Sequence, residues 1–455
     1  MQVHGSEAGR ERAPIAILGV PFDAVNLADM LALVGEMITS REPHYATTVG
    51  SDFLVQTQDD VELRHILFEA HLVVAEDRTV VWASKILGNP LPGNVTVPQL
   101  IPQLLLLAEQ KNWRVFLLGG SDAVAEKIRA QHPKLRLDAF LPPDQPLLEM
   151  DHADICRRLL AARPDILLVA FGSPKQEKWI NMNFREAGVP FVLGAGSSLG
   201  FLTGEPAPGR AGKNLTKFIR AILRQWWQLR AKKSKVSVVD GGDVVPDPHG
   251  NLVIRAPARL GAAEAGASQA EWLRAAENSH VLLDLTDTVF ADSTGIGLLV
   301  RLRRRAREKG WQFFLIAPRP PVEAALKLMK LDDYFTIQAS VAGARILMES
   351  SAGAAAVTSG VLDSELQIRW TGEVTALNAV ELGAYTESEL SQVSAGMTVV
   401  IDLSRVTFVD STGIGLMVRF KKNLTRRNIN LKFSNVVPGV RNVVRQTQLE
   451  EFLLG

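Results

Sequence analysis

The segment Asp165-Ile-Leu-Leu-Val-Ala-Phe171 runs directly into Gly172-Ser-Pro-Lys-Gln-Glu-Lys-Trp-Ile-Asn181. Ile166 to Phe171 are all apolar, as expected of a strand covered on both faces of a parallel sheet. The run stops at Gly172, and Ser173, Lys175, Gln176, Glu177 and Lys178 follow at once. In open α/β sheets ligands bind just beyond the carboxyl ends of the strands, so this polar cluster falls where a binding site belongs. A solvated, charged loop has the same composition, and the residues alone leave both readings open.

Working outward, short apolar runs alternate with amphipathic stretches from Ile15 to Thr203. Strands are predicted at Ile15–Leu18, Tyr45–Val49, Leu72–Ala75, Val115–Leu118, Leu135–Phe140, Ile166–Phe171 and Phe191–Gly194. Helices are predicted at Ala28–Thr39, Val61–Glu69, Val97–Gln110, Ala123–Gln131, Ala153–Ala162 and Lys175–Ala187. This alternation predicts a Rossmann-like α/β domain with a mostly parallel sheet. Two glycine turns lie beside the polar cluster: Gly119-Gly120 after one strand and Gly194-Ala-Gly196 after another. Backbone N–H groups at such turns and at helix N-termini can hold phosphate, although a plain tight turn explains each equally well. Together with Ser173, Lys175 and Glu177 they make a pocket for a diphosphate sugar. No Asp-x-Asp pair follows a strand, and helix capping explains Asp151 and Asp154, so neither metal ligands nor a cofactor are expected.

With 455 residues, the chain has room for about three domains of roughly 150 residues each. A net charge of +1 excludes a uniformly basic nucleic-acid binder. The single cysteine, Cys156, fits a reducing cytoplasm. The polar N-terminus does not read as a signal peptide, and no apolar run approaches the ~20 residues that span a bilayer.

Charge is concentrated instead between Gly209 and Lys235, where nine basic residues occur with no acid. Lys217, Arg220, Arg224 and Arg230 alternate with an apolar face that includes Trp226 and Trp227. That is the composition of a helix lying on anionic lipid; a core-packing helix with a solvated basic face is the alternative. The expected location is cytoplasmic, peripheral on the inner face of the cell membrane.

Beyond this segment the sequence repeats itself. Val281-Leu-Leu-Asp-Leu…Phe290-Ala-Asp-Ser-Thr-Gly-Ile-Gly297 returns as Val399-Val-Ile-Asp-Leu…Phe408-Val-Asp-Ser-Thr-Gly-Ile-Gly415. A unit near 100 residues is too long for a solenoid element and marks a duplicated domain. Asp292 or Ser293, and Asp410 or Ser411, stand where a helix N-cap belongs. The basic runs Arg301, Arg303, Arg304, Arg305 and Lys421, Lys422, Arg426, Arg427 read as solvated faces flanking those caps.

The FGSPKQEKWI motif resembles the signature of the WecG/TagA/CpsF family of bacterial glycosyltransferases, and the likeness extends from about Ile15 to Lys235. The resemblance implies an inverting, metal-independent transfer from a UDP-sugar to a lipid-diphosphate-linked sugar acceptor in polysaccharide biosynthesis. It places Thr48 and Gln176 in the catalytic site with Glu76 as the general base, or Asp77 if the turn shifts. Gly50, Asn94, Val97 and Gly200 stand where the family carries other residues. The repeated Asp-Ser-Thr-Gly-Ile-Gly motif resembles the STAS domain of anti-sigma-factor antagonists. That likeness implies serine phosphorylation at Ser293 and Ser411, on surface loops facing a serine kinase or other anti-sigma-type partner protein.

The expected organisation is a transferase domain at 1–208, a basic membrane-associating segment at 209–235, STAS domains at 236–349 and 361–455, and a flexible linker at 350–360. Two functions follow. One is a membrane-surface glycosyltransferase controlled by its STAS domains. The other is a catalytically degenerate transferase domain serving a partner-switching regulator, which the departures at Gly50, Asn94, Val97 and Gly200 favour.

Overall fold

The computed structural model describes residues 13–204, 214–230, 244–246, 251–332, 334–350, 358–362, 365–391, 393–394 and 397–455. The chain opens with a hairpin of β1 (Ile15–Ile17) and β2 (Val20–Phe22), then α1 (Leu27–Ser40) and β3 (His44–Val49). Helices α2 (Ser51–Gln56) and α3 (Val61–Glu69) lead to β4 (Leu72–Ala75). Next come α4 (Arg78–Ile86), α5 (Val97–Lys111), β5 (Arg114–Gly119), α6 (Asp122–Gln131) and β6 (Arg136–Phe140). The domain closes with α7 (His152–Ala162), β7 (Ile166–Ala170), α8 (Lys175–Ala187), β8 (Phe191–Gly194) and α9 (Leu215–Arg230).

Six of these strands form one parallel sheet in the order β4-β3-β8-β7-β5-β6. The chain places β4 outside β3, crosses to β5 and β6, and returns inward through β7 to β8. The first and last strands of the sheet therefore lie side by side, at a reversal of direction of the kind that opens a ligand crevice. Local sequence sets the helix starts. Asn26 with Asp29 and Thr96 with Gln99 form capping boxes, while Asp60, Asp77 and Asp151 each accept a backbone N–H.

The predicted first strand exists but does not join that sheet. It pairs antiparallel with Val20–Phe22 through a two-residue turn, Leu18-Gly19, with φ of 50° and 88°. Positive φ at both positions suits the right-handed twist of a tight hairpin. Alternation along β1 then divides it between two cores: Ile15 and Ile17 enter the first domain's core, and Ala16 enters the core of the domain that follows.

That second domain comprises β9 (Val244–Pro246), β10 (Leu252–Arg255), β11 (Arg259–Leu260), α10 (Ala262–Asn278), β12 (Val281–Asp284) and β13 (Phe290–Ala291). It continues with α11 (Ser293–Glu308), β14 (Phe313–Ile316), α12 (Pro320–Leu328), β15 (Thr336–Gln338) and α13 (Val341–Ser350). Its main sheet runs β15-β14-β12-β10-β9. The repeat follows as β16 (Thr358–Leu362), β17 (Glu365–Val374), α14 (Ala379–Leu390), β18 (Thr398–Val409) and α15 (Ser411–Arg426), with β19 (Asn430–Ser434), α16 (Pro438–Gln446) and α17 (Glu450–Leu454) completing it. Here the order is β16-β17-β18-β19.

The expected linker at 350–360 is shorter than its composition suggested. Thr358, Ser359 and Gly360 pair antiparallel with Arg369, Ile368 and Gln367. An edge strand satisfies backbone groups that an open linker would leave to water; residues 351–357 lie outside the described residues.

Candidate functional site

The signature loop leaves β7 at Gly172, whose φ of 77° turns the chain toward α8. The Gln176 N–H donates to the Gly172 carbonyl at 2.9 Å, closing the first turn of the helix. Gln176 and Glu177 are both buried, and Gln176 Nε2 donates to Glu177 Oε1 at 2.8 Å. Gln176 lies across the end of β8, where a Cβ on Gly194 would come within 2.8 Å of its Nε2 and one on Gly196 within 3.6 Å. Glycine at Gly194 is therefore what admits the glutamine. Among the described residues, Gln176 Oε1 and Ser173 Oγ are buried without a hydrogen-bond partner. Buried polar atoms of this kind are costly unless something else meets them.

The other wall comes from β3 and β4. Thr48 lies in β3, and Glu76 and Asp77 follow β4. Asp77 is committed to structure: its Oδ1 accepts from the Val80 N–H at 2.9 Å, and its Oδ2 accepts from Ser51 N and Ser51 Oγ at 2.7 and 2.9 Å. Glu76 is half-buried. A Cβ on Gly50 would lie 3.0 Å from Asp77 Oδ2, so the glycine makes room for that carboxylate, and 3.8 Å from Glu76 Oε2, an ordinary contact. Asn94 Nδ2 donates to the Glu76 carbonyl at 3.0 Å and fixes that turn. Thr48, Glu76, Gln176 and Gly194 thus line the carboxyl edge of four adjacent strands, a span of about 14 Å at ordinary strand spacing.

The remaining predicted residues are spread more widely. Gly119 ends β5 and Gly120 follows it, with φ of 84° and 80°; a Cβ on Gly119 would meet the Phe171 ring at 2.8 Å. Lys175 turns toward the far edge of the sheet, where its Nζ meets Asp144 Oδ1 at 3.1 Å. Among the described residues, no group of three or more His, Cys, Asp or Glu is placed to hold a metal ion.

Helix α9 uses both of the faces its sequence offered. Phe218 and Ile222 are in the first domain's core, and Gln225 clasps the hairpin, accepting from Leu18 N at 2.9 Å and donating to the Ala16 carbonyl at 3.0 Å. Lys217, Arg220, Leu223, Arg224 and Trp227 are exposed, whereas Trp226 is half-buried. The side chain of Arg230 and residues 209–213 and 231–235 lie outside the described residues.

The repeats depart from expectation at their serines. Ser293 and Ser411 are 1% and 3% exposed, not on open surface loops. Asp292 and Asp410 are the N-caps, accepting from Gly295 N at 3.1 Å and Gly413 N at 3.0 Å, and each serine opens its helix. The reason is that both helix starts face the first domain. Asn89 Nδ2 donates to Thr294 Oγ1 at 3.0 Å, Asn181 Nδ2 donates to Asp410 Oδ2 at 3.2 Å, and the Ser411 N–H donates to the Glu62 carboxylate.

Most arginines of α11 are not solvated either, although Arg305, its side chain 41% exposed, pairs within its own domain with Glu277 and Glu308. Arg301 pairs with Asp23, Arg304 donates to the Ala70 carbonyl, and Arg307 pairs with Glu69 at 2.9 Å. Sequence reading missed Glu62, His65, Glu69 and Asn181 on the first-domain side. Asn181 closed the motif quoted at the outset, and the arginine run was the signal for a matching acidic face.

Residues 15–230 match the WecG/TagA/CpsF glycosyl transferase family, and residues 244–344 and 355–454 each match the STAS domain. The chain is a WecG/TagA/CpsF-family domain followed by two STAS domains. An N-acetylglucosaminyldiphosphoundecaprenol N-acetyl-beta-D-mannosaminyltransferase of Staphylococcus aureus strain MW2 is 24% identical over 226 residues, covering 49% of this chain and 89% of the relative. Among solved structures, an anti-sigma-factor antagonist (STAS) domain protein from Planctomyces limnophilus is 26% identical, covering 24% of this chain and 99% of that one, with a TM-score of 0.23. Unphosphorylated SpoIIAA is 22% identical over 22% of this chain and 86% of its own, with a TM-score of 0.20.

Proposed function

We propose that this protein transfers a sugar from a UDP-sugar to a lipid-diphosphate-linked acceptor, without a metal ion and with inversion, under control of its STAS domains. The observation that carries the reading is the pair of adjacent carboxylates, Glu76 and Asp77, at the carboxyl end of β4 beside Gly50. Asp77 spends its oxygens on the cap and Ser51, whereas Glu76 lies beside Gly50 at the strand-end crevice. Glu76 would take the proton from the acceptor hydroxyl as that oxygen attacks the anomeric carbon. The bond to the β-phosphate oxygen breaks, and UDP leaves with the electron pair. Gln176, Ser173, and the turns at Gly194 and Gly196 would meet the donor's polar groups. The Staphylococcus relative supports a lipid-diphosphate acceptor and an N-acetylmannosamine donor as the first pair to assay.

In the full chain, Glu76→Gln should lower turnover roughly 100- to 10,000-fold while donor binding stays within a few-fold, because an amide keeps the shape but cannot accept the proton. Unchanged turnover would remove Glu76 from the mechanism. Absence of turnover in the unaltered chain would favour the second reading, a degenerate domain in a regulator. Asn94 supports that alternative, since its amide is spent on the Glu76 carbonyl and offers no charge to a diphosphate.

Membrane contact belongs to the same proposal. The exposed side of α9 carries Leu215, Leu223 and Trp227 at multiples of four residues among Lys217, Arg220 and Arg224. Cosedimentation with anionic vesicles should exceed that with neutral ones and weaken as salt shortens the screening length below about 8 Å. Equal sedimentation with both would remove the membrane role. No helix among the described residues is long and apolar enough to cross a membrane.

A further inference from the structure

The helix-opening motifs of the two STAS domains contain everything expected of a docking surface, and in this chain both are occupied. In the first STAS domain a Cβ on Gly297 would lie 2.4 Å from the Pro14 carbonyl oxygen, and one on Gly19 at the hairpin tip 2.2 Å from that of Met329. Each glycine lets one domain's backbone come against the other's. Apolar groups continue the contact, with Ala13, Ala16 and Phe68 of the first domain lying in the first STAS core.

Val61 and Leu148 of the first domain pack against the second STAS core, but at the motif itself the contact is polar. Asp410 receives Asn181 Nδ2, and Glu62 receives the Ser411 N–H. Lys178 Nζ lies 2.8 Å from Glu62 and 3.2 Å from Asp60. His65 stacks on Phe408 with ring centroids 3.8 Å apart. Lys178 and Asn181 belong to α8, the helix that also carries Gln176 and Glu177. Gln176 reaches the end of β8 from one side of that helix, and Lys178 and Asn181, on another side, hold the STAS motif.

We propose that the docking partner of both STAS motifs is this chain's own first domain, and that the second motif is a releasable brace on the outer face of α8. Two carboxylates, Glu62 and Asp410, share this buried contact, and a separable contact is expected to be polar in this way, whereas a permanent one resembles a domain core. While docked, Ser293 and Ser411 are covered by the first domain, so any group that modifies them must act on a released form. Negative charge added at Ser411 would face Glu62 directly and oppose re-docking. The brace affects catalysis only if the transferase reading holds, but docking itself can be measured without turnover.

Hydrogen exchange on the full-length protein tests this through two independent pairs of variants. Gly297→Ala should speed exchange in the hairpin at 15–22 by at least about tenfold, because the methyl meets main chain that cannot step aside. Gly415→Ala, the matched change in the repeat, should leave exchange unchanged: its Cβ would meet only Leu148 Cδ2, at 3.8 Å. Alanine favours helix over glycine, so amides of α11 and α15 should stay protected in both. Ser411→Asp should speed exchange in α3 and α8 and raise the radius of gyration, with Ser411→Asn showing a clearly smaller effect. The proposal is overturned if Gly297→Ala leaves the hairpin as slow as Gly415→Ala does, or if Ser411→Asp leaves α3 and α8 unchanged. Equal acceleration by Asn and Asp would overturn the charge-sensitive release. If one variant fails to fold, the other pair decides.

Discussion

Helices α11 and α15 start with the same six residues, Asp-Ser-Thr-Gly-Ile-Gly, and press them against the same domain, yet their basic faces have opposite fates. On α11, Arg301, Arg303, Arg304 and Arg307 point into protein. On α15, Lys422 and Arg426 are exposed, and Arg419 pairs with Glu387, itself more than half exposed. The difference lies in what faces each helix. Arg303 and Arg307 meet Glu69 of the first domain and Glu373 of the second STAS domain, with the Arg303 guanidinium 3.9 Å from the centre of the Tyr334 ring. Burial disfavours the charge on Glu373, but Arg307 and Arg303 outweigh it and hold the carboxyl down to about 2. One charged cluster thus joins all three domains, and of the two repeated helices it is α11 whose arginines enter it. Duplication kept the motif, while each copy's partner decided its outer face.

The largest expected effect breaks this asymmetry. Arg303→Leu leaves half-buried Glu373 with one cation fewer and should cost roughly 3 kcal/mol of unfolding free energy, the low end of the loss when a buried pair is stripped of one member. Lys421→Leu is the matched change on α15, where the ammonium only caps the Leu431 carbonyl at 2.9 Å; it should fall within about 0.5 kcal/mol. Denaturant midpoints of the two variants compare them directly. Equal losses would mean that the cluster adds nothing beyond an ordinary surface charge.

Much of the first domain was legible because burial on both faces writes itself into sequence. Ile166–Phe171 and Leu72–Ala75 could only be interior strands, and their positions were read to within a residue. The polar residues after Gly172 could be placed at a crevice because they begin where a parallel strand ends. Less visible was anything that depended on a second domain. Ala16 has no signature that assigns it to a STAS core, and the arginines of α11 have the composition of a solvated face. Ser293 and Ser411 read as surface residues because a helix start is normally wet. Their burial depends on Asn89, Glu62 and Asn181, each more than 200 residues away in the chain. Between Glu76 and Asp77 the sequence left a choice of register; the structure adds that Asp77 accepts from Ser51 and Val80.

The smallest expected effect sharpens the contrast at the second STAS contact, where two groups oppose each other. Burial drives His65 down to about 3, against the pull of Glu373 and with help from Arg303, Arg64 and Arg307. Burial, then Glu62, pushes Asp410 up to about 6. A histidine lowered from 6.5 gives the docked state stability that is present above 6.5 and lost as pH falls toward 3. A carboxyl raised to about 6 has the reverse sense: it penalises docking above about 6, and the penalty fades as pH falls toward its ordinary value near 4. Between about pH 6 and 4 these two contributions nearly cancel, since one group takes up a proton on docking while the other gives one up. The charged groups facing the pair include Glu62, Glu69, Glu373, Arg64, Arg185, Arg303 and Arg307, with Lys178 and Asp60 beside Glu62. His65→Phe keeps a ring against Phe408 and removes the opposing titration. Its melting temperature, relative to that of the unaltered chain, should therefore rise as pH is lowered from about 7 to 5, by a few degrees at most for a protein of this size. A constant difference between the two chains across that range would mean that His65 does not titrate with docking.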